Sequence, residues 1–269
     1  MSRTNLLIST LVLTTILFSC TSNEIGNSKD VNPDAVYFDY EVWADETNPD
    51  VIVNLQYRMG GPNGTTLVLN EPSKVLFDGE QLKVDSAKVT GAYYEVQKPA
   101  PSFAGKHTII FTDLNKKEYK EEIEFIPFTV DSISPITNRG DLVFTFKGLN
   151  AVDVLDVALT DTSYSSDDIN DTDTVRNGRL VIPAVKLSTL VNGPINLQFY
   201  KEVEMPIKNG SKEGGRVLIR YGLQREFELK NGEKKLDQIP IFHSQNFLWF
   251  FSLKPVLLRP ISVGSSGHF

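Results

Sequence analysis

The chain has 269 residues and carries 27 lysines and arginines against 34 aspartates and glutamates, a formal net charge of −7. That balance argues against a nucleic-acid partner, because phosphates are met by basic surfaces. The single cysteine, Cys20, excludes disulfides within the chain and leaves the long segment after it without a thiolate nucleophile or thiolate metal site.

Residues 1–19 read as a secretory signal. Arg3 supplies the positive start, and Leu6 to Phe18 form an apolar run. The run is shorter than the roughly 20 apolar residues a membrane-spanning helix needs, so cleavage is expected rather than spanning. Leu17-Phe18-Ser19-Cys20 resembles the lipobox of bacterial lipoproteins, with Phe18 in place of the usual small or β-branched residue. The resemblance implies that Cys20 is acylated and that the protein is anchored in the bacterial envelope, at the periplasmic or surface face of the outer membrane. Each buried methylene of an acyl chain contributes about 0.8 kcal/mol to such an anchor. The competing reading is an ordinary signal peptide with a chance cysteine. Residues 20–33 are polar and without period, which predicts a flexible tether.

From residue 34 the pattern is that of strands. Val36, Phe38, Tyr40 and Val42 alternate with Tyr37, Asp39, Glu41 and Trp43, and Val51, Val53, Leu55 and Tyr57 repeat the period of two. Further strands are expected near 74–77, 81–84, 93–96, 107–112 and 118–126, with Asp78-Gly79 as a hairpin turn. The stretch from Phe103 to Asp113, continuing through Asn115, Lys116 and Lys117 to Tyr119, resembles the closing hairpin of immunoglobulin-like and fibronectin-like modules. His107 stands where a tyrosine often sits, and Lys116 or Lys117 replaces the turn glycine. After Pro127 a second set follows, near 130–134, 141–147, 152–160, 179–182, 195–200, 216–221 and 224–229, with a short helical turn within 184–190. Spacing and length predict an all-β fold of two tandem immunoglobulin-like β-sandwiches, residues 34–127 and 128–230. The whole body resembles tandem immunoglobulin-like lipoproteins of Bacteroidota.

Residues 231–269 differ: Phe242, Phe247, Leu248, Trp249, Phe250 and Phe251 crowd together, and Lys254 and Pro255 interrupt the run. Three readings stand: a strand donated to a partner, a membrane-surface segment, or an extension foreign to the domain.

Chemistry-bearing patterns are few. The chain holds no His-Glu-x-x-His, no Gly-x-Ser-x-Gly and no phosphate loop, which predicts neither catalysis nor a cofactor. His107 lies on a strand beside Ile109 and Phe111 and reads as a packed or edge position rather than a base. The acidic stretch 161–173 offers Asp167, Asp171 and Asp173 as calcium ligands, because Ca²⁺ takes 6–8 oxygens. It lacks the glycine and closing glutamate of an EF-hand, and a solvated loop is the competing reading. Trp43, on the polar face of its strand, is a candidate sugar platform together with Tyr93 and Tyr94, against the alternative of rim or interdomain packing. Asp85-Ser86-Ala87, Asp131-Ser132-Ile133 and Asp173-Thr174-Val175 resemble the O-glycosylation acceptor of Bacteroidota, which implies modification at Ser86, Ser132 and Thr174. The expected function is a lipid-anchored, non-enzymatic binding or scaffold protein of the envelope, with a protein or glycan partner. The alternatives are a fimbrial subunit or adhesin, and a glycan-binding accessory of an outer-membrane uptake system.

Overall fold

A computed structural model of the chain describes residues 25–87, 90–164 and 166–231. The stretch expected as a signal (1–19), Cys20 and the apolar tail from 232 onward lie outside the described residues. Strands β1 (Ile25–Asn27), β2 (Val36–Asp45), β3 (Asp50–Met59), β4 (Thr65–Val68), β5 (Lys74–Phe77), β6 (Glu80–Gln81), β7 (Val84–Ala87), β8 (Gly91–Pro99), β9 (Gly105–Thr112) and β10 (Glu118–Phe125) come first. They are followed by β11 (Thr129–Val130), β12 (Ile136–Asn138), β13 (Leu142–Lys147), β14 (Val152–Thr160), β15 (Ile169–Arg176), β16 (Arg179–Ile182), β17 (Gly193–Pro206) and β18 (Gly215–Lys230). The fold is all-β, in two sandwich-like layerings, as the sequence predicts. The expected helical turn is a single 3-10 turn, Lys186–Thr189.

The first core lies between two layers. One contains β4, β3, β2, β18 and β17 in that order, and the other β10, β9, β5 and β6. The period of two does what it predicts: Val36, Phe38, Tyr40 and Val42 are buried against Val53, Leu55, Tyr57, Ile109 and Phe111. Phe38 meets Tyr57, Phe111 and Tyr119 edge-on at 5.5, 5.0 and 5.5 Å. Such contacts add to plain area burial. The buried Tyr40 and Tyr57 hydroxyls satisfy each other at 3.2 Å.

Turn chemistry sets the registers. Asp78 and Gly79 take φ of +48° and +84°, and Phe77 faces Glu80 across a two-residue hairpin. At the β9–β10 turn Lys116 takes φ +63°, the conformation a glycine would adopt without strain. Asp113 holds that turn by accepting from the Asn115 and Lys117 amides at 2.8 and 2.9 Å.

In the second core, β15, β14, β17 and β18 form one layer and β16, β13 and β11 the other. Asn177 and Gly178, at φ +50° and +73°, turn the chain from one layer into the next. Phe144 and Phe146 meet Phe199 across the interior at 5.1 and 5.0 Å.

One hairpin belongs to both cores. β17 and β18 pair without a break from Gly193↔Leu229 to Pro206↔Arg216. Ile195, Leu197, Phe199, Leu223 and Phe227 pack in the second core, whereas Val217 and Ile219 pack in the first. β18 runs parallel to β2, from Gly215↔Phe38 to Gly222↔Asp45. Residues 201–222, which the sequence pattern groups with the second sandwich, thus complete a layer of the first. Tyr221 sits at the junction, edge-on to Phe125 at 5.7 Å and to Phe128 at 5.4 Å.

Three local expectations differ from the structure. Part of the stretch expected as a flexible tether, residues 20–33, is built into the first sandwich: Ile25–Asn27 is β1 and pairs in parallel with β4, and Ser28 is buried with its Oγ accepting from the Asn70 amide at 2.8 Å. The strands expected at 216–221 and 224–229 are one strand, because Gly222 stays extended and paired with Tyr200. The acidic stretch expected as a loop over 161–173 is a loop only to residue 168. From Ile169 it is β15, whose polar positions alternate between two partly exposed faces and so mask the period.

Candidate functional site

The two layers of the first sandwich do not end together. β10 is the last strand of its layer, while the facing layer continues through β18 to β17. The inward side chains Val203 and Met205 of β17 are left only half-buried as a result. Between them and β10 lies a cleft of about 410 Å³. Ile123, Phe125 and Ile126 form its wall, and Val203, Met205, Val217, Ile219 and Tyr221 form its floor.

Both ends are fixed by polar contacts. At one end the buried Glu121 carboxylate accepts from the Lys208 and Asn209 amides at 2.9 and 3.3 Å, and Asn209 Nδ2 donates to the Lys120 carbonyl at 3.0 Å. Towards the other end Lys201 Nζ donates to Asp153 Oδ2 at 2.5 Å, with both side chains little exposed. Burial pushes the Asp153 carboxyl up. The Lys201 ammonium and the Asn150 and Val154 amides outweigh burial and hold it below the usual aspartate range. Burial, with Glu46 and Asp45 nearby, pushes the Tyr221 phenol up, so it stays neutral.

The edge of β10 is open. In an antiparallel strand the N–H and C=O of one residue point to the same side, and the side alternates along the chain. Because the Lys120 carbonyl points away from β9, towards Asn209, the main-chain groups of Glu122 and Glu124 point the same way. Among the described residues no backbone group meets them. Among the described residues β17 is equally open beyond Tyr200, where its pairing with β14 ends at Asp156. An extended segment laid beside β10 would find main-chain partners at Glu122 and Glu124 and would cover Val203 and Met205.

The residues singled out in the sequence are scattered. Trp43 is half-buried on the outer face of the first sandwich, between Ile52 of β3 and Arg220 of β18. Tyr93 is half-buried, and Tyr94 is in the core with its hydroxyl accepting from the Leu69 amide at 2.7 Å. Asp171 and Asp173 both engage Lys186, at 2.8 and 3.3 Å, and Asp167 stands apart in the exposed loop. Among the described residues no group of three or more histidine, cysteine, aspartate or glutamate side chains is arranged to hold a metal ion. Ser86, Ser132 and Thr174 are exposed. His107 stacks on Phe103 at 3.9 Å and bonds Asp78 Oδ2 and the Phe103 carbonyl at 2.7 and 2.6 Å. The cleft itself had no motif in the sequence. Its only signal was the alternation Ile123-Phe125 against Glu122-Glu124, read as an ordinary strand.

No known family matches the chain, and no curated protein matches it. Solved structures that it resembles include the two immunoglobulin domains of DIP-gamma, at 11% identity over 73% of this chain and 98% of that one, with a TM-score of 0.21. The fibronectin(III)-like modules of Clostridium thermocellum CbhA align at 10% identity over 70% of this chain and 94% of that one, with a TM-score of 0.23. SGBP-B of the Bacteroides ovatus mixed-linkage glucan utilization locus, solved with a mixed-linkage heptasaccharide, aligns at 11% identity over 73% of this chain and 66% of that one, with a TM-score of 0.16.

Proposed function

We propose that the chain is a non-enzymatic binding module that takes up an extended segment of a partner protein along β10, and that acyl chains on Cys20 hold it at the outer membrane. The observation that carries the binding reading is the open edge of β10 beside the half-covered floor of Val203 and Met205. Strand addition draws affinity from main-chain hydrogen bonds and specificity from alternate side chains. Here the inward positions of the guest would be apolar. Its outward positions beside Glu122 and Glu124 would be basic, since opposite charges across a strand pair are favourable.

A labelled nine-residue peptide alternating valine and lysine is the probe. Fluorescence anisotropy should show saturable binding that weakens about tenfold or more in Val203→Asp, which sets a charge on the floor where a bound segment would bury it. Glu204→Ala, on the opposite face of the same strand, should bind normally. Equal binding to Val203→Asp, or none to the unaltered protein, rules the reading out. Sizing the protein by itself separates a foreign guest from the fimbrial alternative, in which copies add strands to one another and form polymers. The anchor is tested separately, by whether Cys20→Ser moves the protein from the membrane to the soluble fraction.

A further inference from the structure

The outer face of the second sandwich carries a groove of about 350 Å³, within the size range of small-ligand sites, that is unrelated to the β10 cleft. Strand register builds it. Thr172, Asp156 and Tyr200 lie in one row across β15, β14 and β17, and Asn170, Ala158 and Gln198 lie in the next. Ala158 is the small residue in the middle, and its missing bulk is the depression. Tyr200 is spread over Gly222, its cross-strand neighbour: a Cβ on Gly222 would come within 2.6 Å of the ring.

The polar groups are oriented by one another. The Tyr200 hydroxyl donates to Gln198 Oε1 at 3.1 Å, which leaves the Gln198 Nε2 hydrogens for a ligand. Thr172 Oγ1 donates to Asp156 Oδ1 at 2.6 Å, which leaves Asp156 Oδ2 as a free acceptor. The exposed Asn170 side chain offers a donor and an acceptor and has no partner among the described residues. A hydroxyl both donates and accepts, so adjacent hydroxyls match a carboxylate oxygen in one row and amide nitrogens and an amide oxygen in the next. The lining carries the Asp156 carboxylate and no cation, which disfavours an anionic ligand; Asp171 is turned to Lys186 and adds no free charge.

From this arrangement we infer that the groove is a binding site for a neutral, polyhydroxylated ligand, an oligosaccharide, held by Asp156, Asn170 and Gln198 beside the Tyr200 ring. It shares no residue with the β10 cleft, so either can fail without the other.

The probes are neutral hexasaccharides of glucose, xylose, mannose and galactose, titrated at millimolar concentration into the full-length protein. At least one should release or absorb heat on binding and shift the side-chain amide signals of Asn170 and Gln198. Gln198→Ala and Ala158→Trp, which remove a donor and fill the depression, should each weaken that binding about tenfold or more. Trp43→Ala should leave it unchanged. Circular dichroism melts of all three variants should match the parent, which removes misfolding as a cause. No response to any of the four probes overturns the assignment, and so does binding that survives Ala158→Trp or is lost with Trp43→Ala.

Discussion

Asp39 shows how one residue on a strand's polar face is drawn out of solvent. It points away from the core, yet its side chain is only 5% exposed, because Arg58 and Arg216 close over it from the strands on either side. Arg216 Nε donates at 2.8 Å and Arg58 Nε at 3.3 Å. Asp39→Asn would take the carboxylate from Arg58 and leave Arg216 with the exposed Glu41 and Glu204, and should cost about 1.5–3 kcal/mol in urea unfolding. The exposed pair Lys120–Glu122 provides the contrast: Lys120→Ala should cost less than about 1 kcal/mol. Similar losses in the two variants would show that the Asp39 network is ordinary surface pairing. Asp153 carries a pH dependence. Its carboxyl is held below the value of about 3.9 that it has in the unfolded chain, so the unfolded state binds the proton more readily. The stability it contributes is complete above that value and is lost as pH falls through the lower folded value. Acid titration of the unfolding midpoint should therefore fall less steeply below about pH 4 in Lys201→Met than in the parent. Matching slopes would exclude Lys201 as the cause.

Among elements, β18 decides the architecture. Its first half lies on β2 and its second half in the other core, so residues 34–127 lack a strand of their own sandwich. A fragment of residues 34–127 should give a poorly dispersed amide spectrum, and adding a peptide of residues 201–222 should restore dispersion. A fragment that folds without the peptide would make β18 dispensable. Strands with one cleanly buried face were legible in the sequence, because such a strand writes its period of two directly into side-chain polarity, as in Val36 to Trp43; β1, β4 and β15 lack that contrast and were not. The Asp78-Gly79 turn was legible for the same local reason. Sharing of β17 and β18 was not, since Val217 and Ile219 look the same whichever core they enter. The β10 cleft was hidden too: an open edge is a property of main-chain groups lacking a partner, and side-chain identity does not record it. The Ala158 groove needed register, which places Asp156, Gln198 and Asn170 side by side from three separate strands.

At the scale of the molecule, the shared hairpin and Tyr221 join the two cores, which should make them unfold as one cooperative body. Leu197 is fully buried in the second core, and Leu197→Ala should cost about 2–5 kcal/mol. Hydrogen exchange in β2 and β3 should then accelerate by the same factor as in β14, although neither strand touches residue 197. Acceleration confined to β14 and β17 would mean that the sandwiches open separately. The parallel pairing of β2 with β18 also has a consequence in time. Asp39 and its partner Arg216 are 177 residues apart. At about 5–20 residues per second of synthesis, β2 waits roughly ten to thirty seconds for that neighbour. During that interval Phe38, Tyr40 and Val42 belong to an unfinished sheet whose β2 edge lacks its native neighbour. A premature stop before residue 215 would therefore release not a smaller domain but a half-built one with its seam open.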